Sequence, residues 1–197
     1  YKFNEKIESD MLIDSGAARI PNDDGWAVVQ AASGFTQDNT MSPMQGALIA
    51  AAVANDGVMM EPYLVDSLYN STGDVIYKAQ QKQMSVTVSP QTAEELRELM
   101  HETVRAGTSR KSFRKVTRYR AFEDVEFGGK TGSLTGTKPK GKCDWFVGYA
   151  RGEGFKIAVA ALTVNKKNWK VKSSQLASAY LSNYIQQMQY KKTVSRR

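Results

Sequence analysis

Four consecutive residues, Lys130, Thr131, Gly132 and Ser133, have side chains suited to holding a substrate for acyl transfer. A lysine on a strand supplies a fixed positive charge that attracts an anionic substrate and lowers the pKa of nearby hydroxyls or ammonium groups. Thr131 offers a hydroxyl to a carboxylate, and Gly132 lets a substrate backbone approach the strand edge. Ser133 adds a second hydroxyl, and its backbone N–H is a candidate oxyanion donor. Taken alone, however, the Lys-Thr-Gly triple is more typical of a plain edge strand with a solvated lysine.

The elements around this segment are predicted to be a sheet followed by a helix. The sequence predicts three strands, over Val125–Ser133, Asp144–Arg151 and Phe155–Val164. Because only residues 152–154 separate the last two, we expect them to pair as an antiparallel hairpin. A final amphipathic helix is predicted from about residue 173 to residue 190, and we expect it to bury a face of residues spaced four apart. These are Leu176, Tyr180, Tyr184 and Met188.

Two upstream helices begin with the same signal, a serine N-cap followed by a proline. The first is predicted from Ser42 to Asn55–Gly57, where Gly57 suits a left-handed cap, and the second from Ser89 to Gly107. Between them, the strand-like runs 63–69 and 75–79 predict a hairpin. Residues 21–25 are predicted to form a turn, residues 26–33 a short helix or buried segment, and residues 108–120 an exposed basic loop or short helix. The fold class is therefore α+β, an antiparallel β-sheet packed by helices.

Composition excludes several classes of protein and site. The hydrophobic fraction of 41% and the charged fraction of 24% are ordinary for a soluble globular protein, and no apolar run is long enough for a transmembrane helix. With Cys143 as the only cysteine and His101 as the only histidine, we expect no internal disulfide, no metal site and no cofactor. The net charge of +7 is interpreted as a solvated surface. No nucleic-acid motif accompanies it, so we expect no nucleic-acid partner.

Four segments, in this order along the chain, resemble motifs of the penicillin-binding transpeptidase family. Met41–Gly57 resembles the family's buried helix with its A-N-x-G ending, and Ala106–Ser109 resembles its G-T-A segment. Lys130–Gly132 resembles its K-T-G motif, and Asp144–Ala150 resembles the D-x-W-F-x-G-Y strand that follows. The resemblance implies the transpeptidase fold shared with serine β-lactamases. It also implies that residues 130–133 bind substrate and that the first and last of them, Lys130 and Ser133, take part in catalysis.

The nucleophile motifs of the family are not found where the resemblance would place them. No S-x-N occurs in the sequence, and the only S-x-x-K, Ser112–Lys115, directly precedes the K-T-G strand instead of lying far upstream of the buried helix. We interpret Ser112–Lys115 as a coincidence and expect the nucleophilic serine, the general-base lysine and S-x-N to precede Tyr1. Residues 1–190 are then the C-terminal portion of a transpeptidase domain, inactive alone, and residues 191–197 a basic, disordered tail.

The function implied by the resemblance is peptidoglycan D,D-transpeptidation, or the related carboxypeptidation, through a serine acyl-enzyme. The implied partners are the D-Ala-D-Ala stem peptide, β-lactams and the upstream half of the same domain. The implied location is the periplasmic face of the cytoplasmic membrane, with membrane contact only through an anchor outside this chain. Two alternatives stay open: an oxacillinase-type serine β-lactamase or β-lactam sensor, and a catalytically inactive wall-binding module.

Overall fold

The computed structural model describes residues 1–20, 25–36, 38–137, 140–166 and 169–194. Most of the predicted turn at 21–25 lies outside these ranges. The described part has five α-helices, seven strands and a 3-10 turn at Arg120–Phe122. The helices are α1 Gly25–Ser33, α2 Pro43–Ala54, α3 Pro90–Arg105, α4 Arg110–Phe113 and α5 Ser173–Val194. The strands are β1 Val58–Met60, β2 Ser67–Tyr69, β3 Val75–Lys78, β4 Gln83–Val86, β5 Glu126–Thr137, β6 Lys140–Gly152 and β7 Phe155–Asn165.

The main sheet consists of β5, β6 and β7 in that order, and both neighbouring pairs are antiparallel. The predicted α+β class and the β6–β7 hairpin are confirmed. The strand β5 continues four residues beyond the predicted end at Ser133, because it pairs with the start of β6 as a second long hairpin. Two small sheets, β1–β4 and β2–β3, lie outside the main sheet. The predicted hairpin is present as β2–β3, although residues 63–66 are not part of its first strand.

The alternation of side chains along β6 divides the core between the two faces of the main sheet. On one face, Phe146 and Ala150 pack into a cluster with Ala177, Leu181 and Ile185 of α5. On the other face, Tyr149 packs against the end of α2 and the middle of α3. The sheet is therefore covered on both faces, with α5 on one side and α2 and α3 on the other.

The predicted buried face of α5 is wrong. Leu176, Tyr180 and Tyr184 have exposed fractions of 46%, 57% and 42%, whereas Leu181 and Ile185 are fully buried. The four-residue spacing is real, but it belongs to the adjacent stripe, displaced by one position. In the first turns of α5 the buried side chains are small: those of Ser173, Ser174, Ala177 and Ser178. These small side chains let the helix lie close to the sheet, and the tyrosines would hold it away.

Both predicted capping signals are confirmed. Ser42 accepts a hydrogen bond from the Gln45 N–H, and Ser89 accepts one from the Thr92 N–H, each with a proline at the start of the helix. Gly57 has φ +87°, in the left-handed region that favours glycine. The helix α2 is buried around most of its circumference, whereas α1 has no buried residue, so of the two predictions for residues 26–33 the short helix is correct.

The final helix continues past the predicted boundary at Tyr190 and ends at Val194. The remainder of the predicted tail, residues 195–197, lies outside the described residues. Within the described ranges, no helix combines the length and the apolar character needed to cross a bilayer.

Candidate functional site

The predicted site residues lie in the middle of β5, which is an outer strand of the main sheet. Lys130 pairs with Val147, Thr131 with Phe146, Gly132 with Trp145 and Ser133 with Asp144. The opposite edge of β5 has no strand partner among the described residues, so its backbone groups there are available to an extended ligand. All four predicted residues are thus brought together on one continuous edge.

The two glycines ahead of Lys130 are required by aromatic rings packed against the two faces of the strand. A Cβ at Gly128 would lie 2.5 Å from Tyr149 Cζ, and one at Gly129 would lie 2.6 Å from Phe146 Cε2 and closer still to Cζ. Both rings are fully buried, so they have no room to move away. The strand therefore needs glycine at both positions, because one ring packs against it from each face of the sheet.

Gly132 differs from these two glycines. A Cβ at Gly132 would meet its nearest neighbour, Trp145 Cβ, at 3.4 Å, an ordinary van der Waals contact. Its φ is also outside the left-handed region. Neither packing within the chain nor backbone conformation requires a glycine here, so the space that its missing side chain leaves is available to a ligand.

Lys130 is exposed, and its Nζ donates a hydrogen bond to the Thr131 carbonyl at 2.8 Å. No carboxylate lies within ion-pairing distance of this ammonium group in the described ranges, so its charge is available to an anion. The side chain shares a face of the sheet with its cross-strand partner Val147. That face is covered by α2, whose Gly46 packs so closely that an added Cβ would lie 3.0 Å from Val147 Cγ2.

Thr131 forms a contact that the sequence did not assign to the site. Its Oγ1 lies 2.8 Å from Thr108 Oγ1, in a hydrogen bond that connects β5 to the segment following α3. The sequence signal for Thr108 was only its place in the G-T-A-like segment. His101 on α3 makes a second connection, since its Nδ1 lies 3.1 Å from the Phe127 carbonyl. Together these bonds fix the end of α3 beside the K-T-G segment.

The strand β6 positions the other side of the segment. Asp144, opposite Ser133, is buried and accepts a hydrogen bond from the Ser173 N–H at 2.7 Å, while the Ser173 hydroxyl donates to the Asp144 carbonyl. This pair anchors the first residue of α5 to the cross-strand partner of Ser133. The Ser133 hydroxyl itself is exposed and makes no hydrogen bond to the described part of the chain.

A polar cluster around the buried Arg97 side chain holds α2, α3 and the sheet together at the far end of β6. Arg97 donates to the Val53 carbonyl at 3.1 Å and to Asp56 at 2.8 Å, and it also contacts Glu94. Burial opposes the charge of Asp56, but Lys156, Arg151 and Arg97 outweigh it, and they lower the pKa of that carboxyl below its usual value. The A-N-x-G-like ending of α2 is therefore an ion-pairing centre for the fold.

Tyr149 completes this support. It is fully buried, and its hydroxyl donates to Glu126 Oε1 at 2.5 Å. Burial, together with the adjacent Glu126 carboxylate, raises the pKa of the phenol far above its usual value, so the group stays neutral and acts as a donor. The hydrogen bond fixes the ring over which Gly128 passes.

Ser112, the serine of the only S-x-x-K sequence, contacts α5. Ser112 Oγ lies 2.7 Å from Ser174 Oγ, and Ser178 donates to the Ser112 carbonyl at 3.0 Å. These contacts hold α4 against α5. They fit the interpretation of Ser112–Lys115 as a coincidence, which stays a prediction. No group of three His, Cys, Asp or Glu side chains within the described ranges is arranged to bind a metal.

Comparison with known proteins gives the family. Residues 5–186 match the model of the penicillin binding protein transpeptidase domain. The chain belongs to this family. The matched range includes the three strands of the main sheet with the K-T-G segment, α2, α3 and most of α5. The family fold is therefore the one described above.

Two mycobacterial proteins illustrate the similarity. The chain is 34% identical over 130 residues to peptidoglycan D,D-transpeptidase PbpA of Mycolicibacterium smegmatis, a match that covers 64% of this chain and 24% of that protein. The chain thus spans about a quarter of the length of the curated relatives it matches. It also resembles penicillin-binding protein A of M. tuberculosis in an imipenem acyl-enzyme complex, with TM-score 0.74, 25% identity and coverage of 93% of this chain and 40% of that one.

A more distant structure shows the same fold. The D,D-transpeptidase domain of a peptidoglycan glycosyltransferase from Eggerthella lenta matches with TM-score 0.72 at 24% identity, over 94% of this chain and 46% of that one. At this level of identity the likeness concerns the fold alone.

Proposed function

We propose that this chain is the K-T-G-bearing part of a peptidoglycan D,D-transpeptidase that acts through a serine acyl-enzyme. The observation that carries the proposal is the contrast among the glycines of β5. Gly128 and Gly129 are required by buried rings, whereas a Cβ at Gly132 would make only an ordinary van der Waals contact, on a strand whose outer edge has no partner among the described residues. A substrate backbone pairing with that edge requires such a glycine. Lys130, which has no ion pair in the described part of the chain, and the exposed Ser133 hydroxyl lie on either side of it along the strand.

Each residue then has a distinct role. The D-Ala-D-Ala end of a stem peptide lies along β5 at Gly132, and its terminal carboxylate binds the Lys130 ammonium group and the Thr131 hydroxyl. The Thr108 hydroxyl holds Thr131 in place. The Ser133 segment supplies a hydroxyl and an N–H to the oxyanion side. A β-lactam carries a carboxylate and an acyl group in a similar arrangement, so it would occupy the same edge.

The reaction needs a nucleophile from outside the four residues of this segment. A serine hydroxyl attacks the penultimate D-Ala carbonyl, the amide bond breaks, and the terminal D-Ala leaves with the proton. An amine of a second stem peptide then attacks the ester, and the serine is regenerated. We place the nucleophile upstream of residue 1, because the chain contains no S-x-N and the Ser112 hydroxyl is hydrogen-bonded to the Ser174 hydroxyl.

Two surfaces support association with an upstream part of the same domain. The outer edge of β7 has no strand partner among the described residues, and Leu162 and Val164 on this strand are 37% and 40% exposed. On α5, the exposed Tyr180 and Tyr184 rings stack on each other with centroids 6.1 Å apart. Open strand edges and exposed aromatic stripes are surfaces that proteins normally cover. On this proposal the parent protein works outside the cytoplasmic membrane, tethered by an upstream anchor.

The decisive experiment is labelling of the full-length protein with a fluorescent penicillin, comparing Lys130→Ala with Lys140→Ala. Both lysines are exposed and lie on the same hairpin, but only Lys130 belongs to the proposed site. Loss of a charged hydrogen bond, about 1.5–3 kcal/mol, predicts a second-order acylation rate on the order of 10- to 100-fold lower for Lys130→Ala and unchanged for Lys140→Ala.

The same experiment separates the alternatives. A long-lived covalent adduct supports the transpeptidase, whereas rapid turnover of a chromogenic β-lactam identifies a β-lactamase. No covalent label on the full-length protein would reject the enzyme and favour a wall-binding module.

A further inference from the structure

A basic pocket lies between the end of α3 and α4, apart from residues 130–133. Its volume is about 410 Å³, and four of its five lining residues are arginines. The lining consists of Arg105, Arg110, Arg114, Thr117 and Arg118. The lining residues are exposed, but the four arginines share one concave site instead of being spread over the surface.

The local fold holds these arginines on one side. Arg110 and Arg114 are four residues apart, and Arg114 keeps helical φ and ψ angles after α4 ends. The Thr117 N–H donates to the Phe113 carbonyl, so the helical path continues toward Arg118. Phe113 is fully buried and anchors the opposite side of this segment in the core. The arginines are therefore placed on a fixed backbone, not on a freely moving loop.

The charges in the pocket are largely uncompensated. Arg105 is held by Glu102 through two hydrogen bonds, of 2.7 and 2.9 Å. Arg110, Arg114 and Arg118 form no ion pair with the described part of the chain. The Thr117 hydroxyl donates to the Phe113 carbonyl, so it lines the pocket without offering its proton to a ligand. Three free guanidiniums close together repel one another, and a bound polyanion would offset that repulsion.

We propose that this pocket binds a compact phosphate group with at least two negative charges, a phosphomonoester or pyrophosphate. The planar guanidinium fork matches phosphate oxygens in pairs, and a phosphate group carries up to about two charges at neutral pH. A single carboxylate would leave most of the arginine charge uncompensated. The volume exceeds what one phosphate needs, so the pocket has room for a second phosphate or for the group that carries it. The proposal does not depend on the transpeptidase activity.

The test is calorimetric titration of the full-length protein with inorganic pyrophosphate near physiological ionic strength, where diffuse charge attraction is screened. The variant Arg114→Gln/Arg118→Gln is compared with Lys111→Gln/Lys115→Gln, which removes the same charge from the same segment but outside the pocket. We expect saturable binding that weakens about tenfold for each pocket arginine removed and less than about twofold for the lysine pair. Thermal denaturation of both variants checks that they remain folded.

Two further ligands test whether the pocket prefers phosphate to carboxylate and whether the phosphate belongs to a lipid. Citrate, a carboxylate trianion, should bind at least about tenfold more weakly than pyrophosphate. Sedimentation with phosphatidylcholine vesicles that contain phosphatidic acid, lost in the arginine variant, would assign the phosphate to a lipid. Pyrophosphate binding without sedimentation would assign it to a soluble or polymer-borne phosphate. Absence of saturable binding, equal losses in the two variants, or equal affinity for citrate would each overturn the proposal.

Discussion

Replacing Gly129 and Gly132 one at a time by alanine should separate the structural from the functional glycines of β5. At Gly129 the added Cβ would lie 2.6 Å from Phe146 Cε2 and closer to Cζ. The ring cannot easily turn away, because Phe146 is fully buried and its ring centroid lies 5.2 Å from that of Phe113. Overpacking of a tight core costs about 1–3 kcal/mol, so we expect the free energy of unfolding to fall by about that amount.

At Gly132 the same methyl group makes only an ordinary contact, 3.4 Å from Trp145 Cβ. We therefore expect the free energy of unfolding of Gly132→Ala to stay within about 0.5 kcal/mol of the wild type. The methyl group would, however, point into the space proposed for the substrate backbone. Moving a ligand by about 1 Å can lower a rate by about 100-fold, so the penicillin acylation rate should fall by one to two orders of magnitude.

Both variants are measured in the full-length protein. Urea denaturation read by brief proteolysis reports the stability of the domain, and fluorescent penicillin labelling under native conditions reports acylation. If Gly132→Ala were labelled as fast as the wild type, Gly132 would not face the substrate. If Gly129→Ala were as stable as the wild type, the packing argument for that glycine would be wrong.

Three further substitutions test the support of the site. Thr108→Val removes the 2.8 Å hydrogen bond to Thr131, so the free energy of unfolding should fall by no more than about 0.5–1.5 kcal/mol, and penicillin acylation should slow by about 2- to 10-fold because Thr131 is no longer held in place. Asp56→Asn should cost no more than about 1 kcal/mol at neutral pH, because the carboxylate is 44% exposed. Since its folded pKa is lowered, that stabilisation is present above about pH 4 and is lost as the pH falls through the folded pKa, so variant and wild type should converge in acid urea melts. Tyr149→Phe leaves Glu126 without its buried donor and should cost about 1–3 kcal/mol. Because the folded pKa of Tyr149 is raised, the wild type should lose stability above about pH 10, and the variant should lose less in the same alkaline melts.

The sequence by itself determined the elements whose signals are local. The serine caps and following prolines of α2 and α3 act within one helical turn, so their prediction needed no knowledge of the rest of the fold. The short connection at 152–154 likewise fixed the β6–β7 hairpin. The Lys130–Ser133 segment was found from residue types and order along the chain, and its position on an outer strand agrees with the geometry that its proposed role requires.

Only the tertiary structure decided which residues these elements bring together. The spacing along α5 allowed two adjacent stripes, and the contact of Ser173 with Asp144 selects the one with small side chains. Thr108 meets Thr131 although 23 positions separate them in sequence. Gly128 and Gly129 were recognisable as glycines, but their difference from Gly132 depends on the buried rings that pack against them. Such contacts depend on the three-dimensional packing of distant segments, which local propensity and periodicity do not encode.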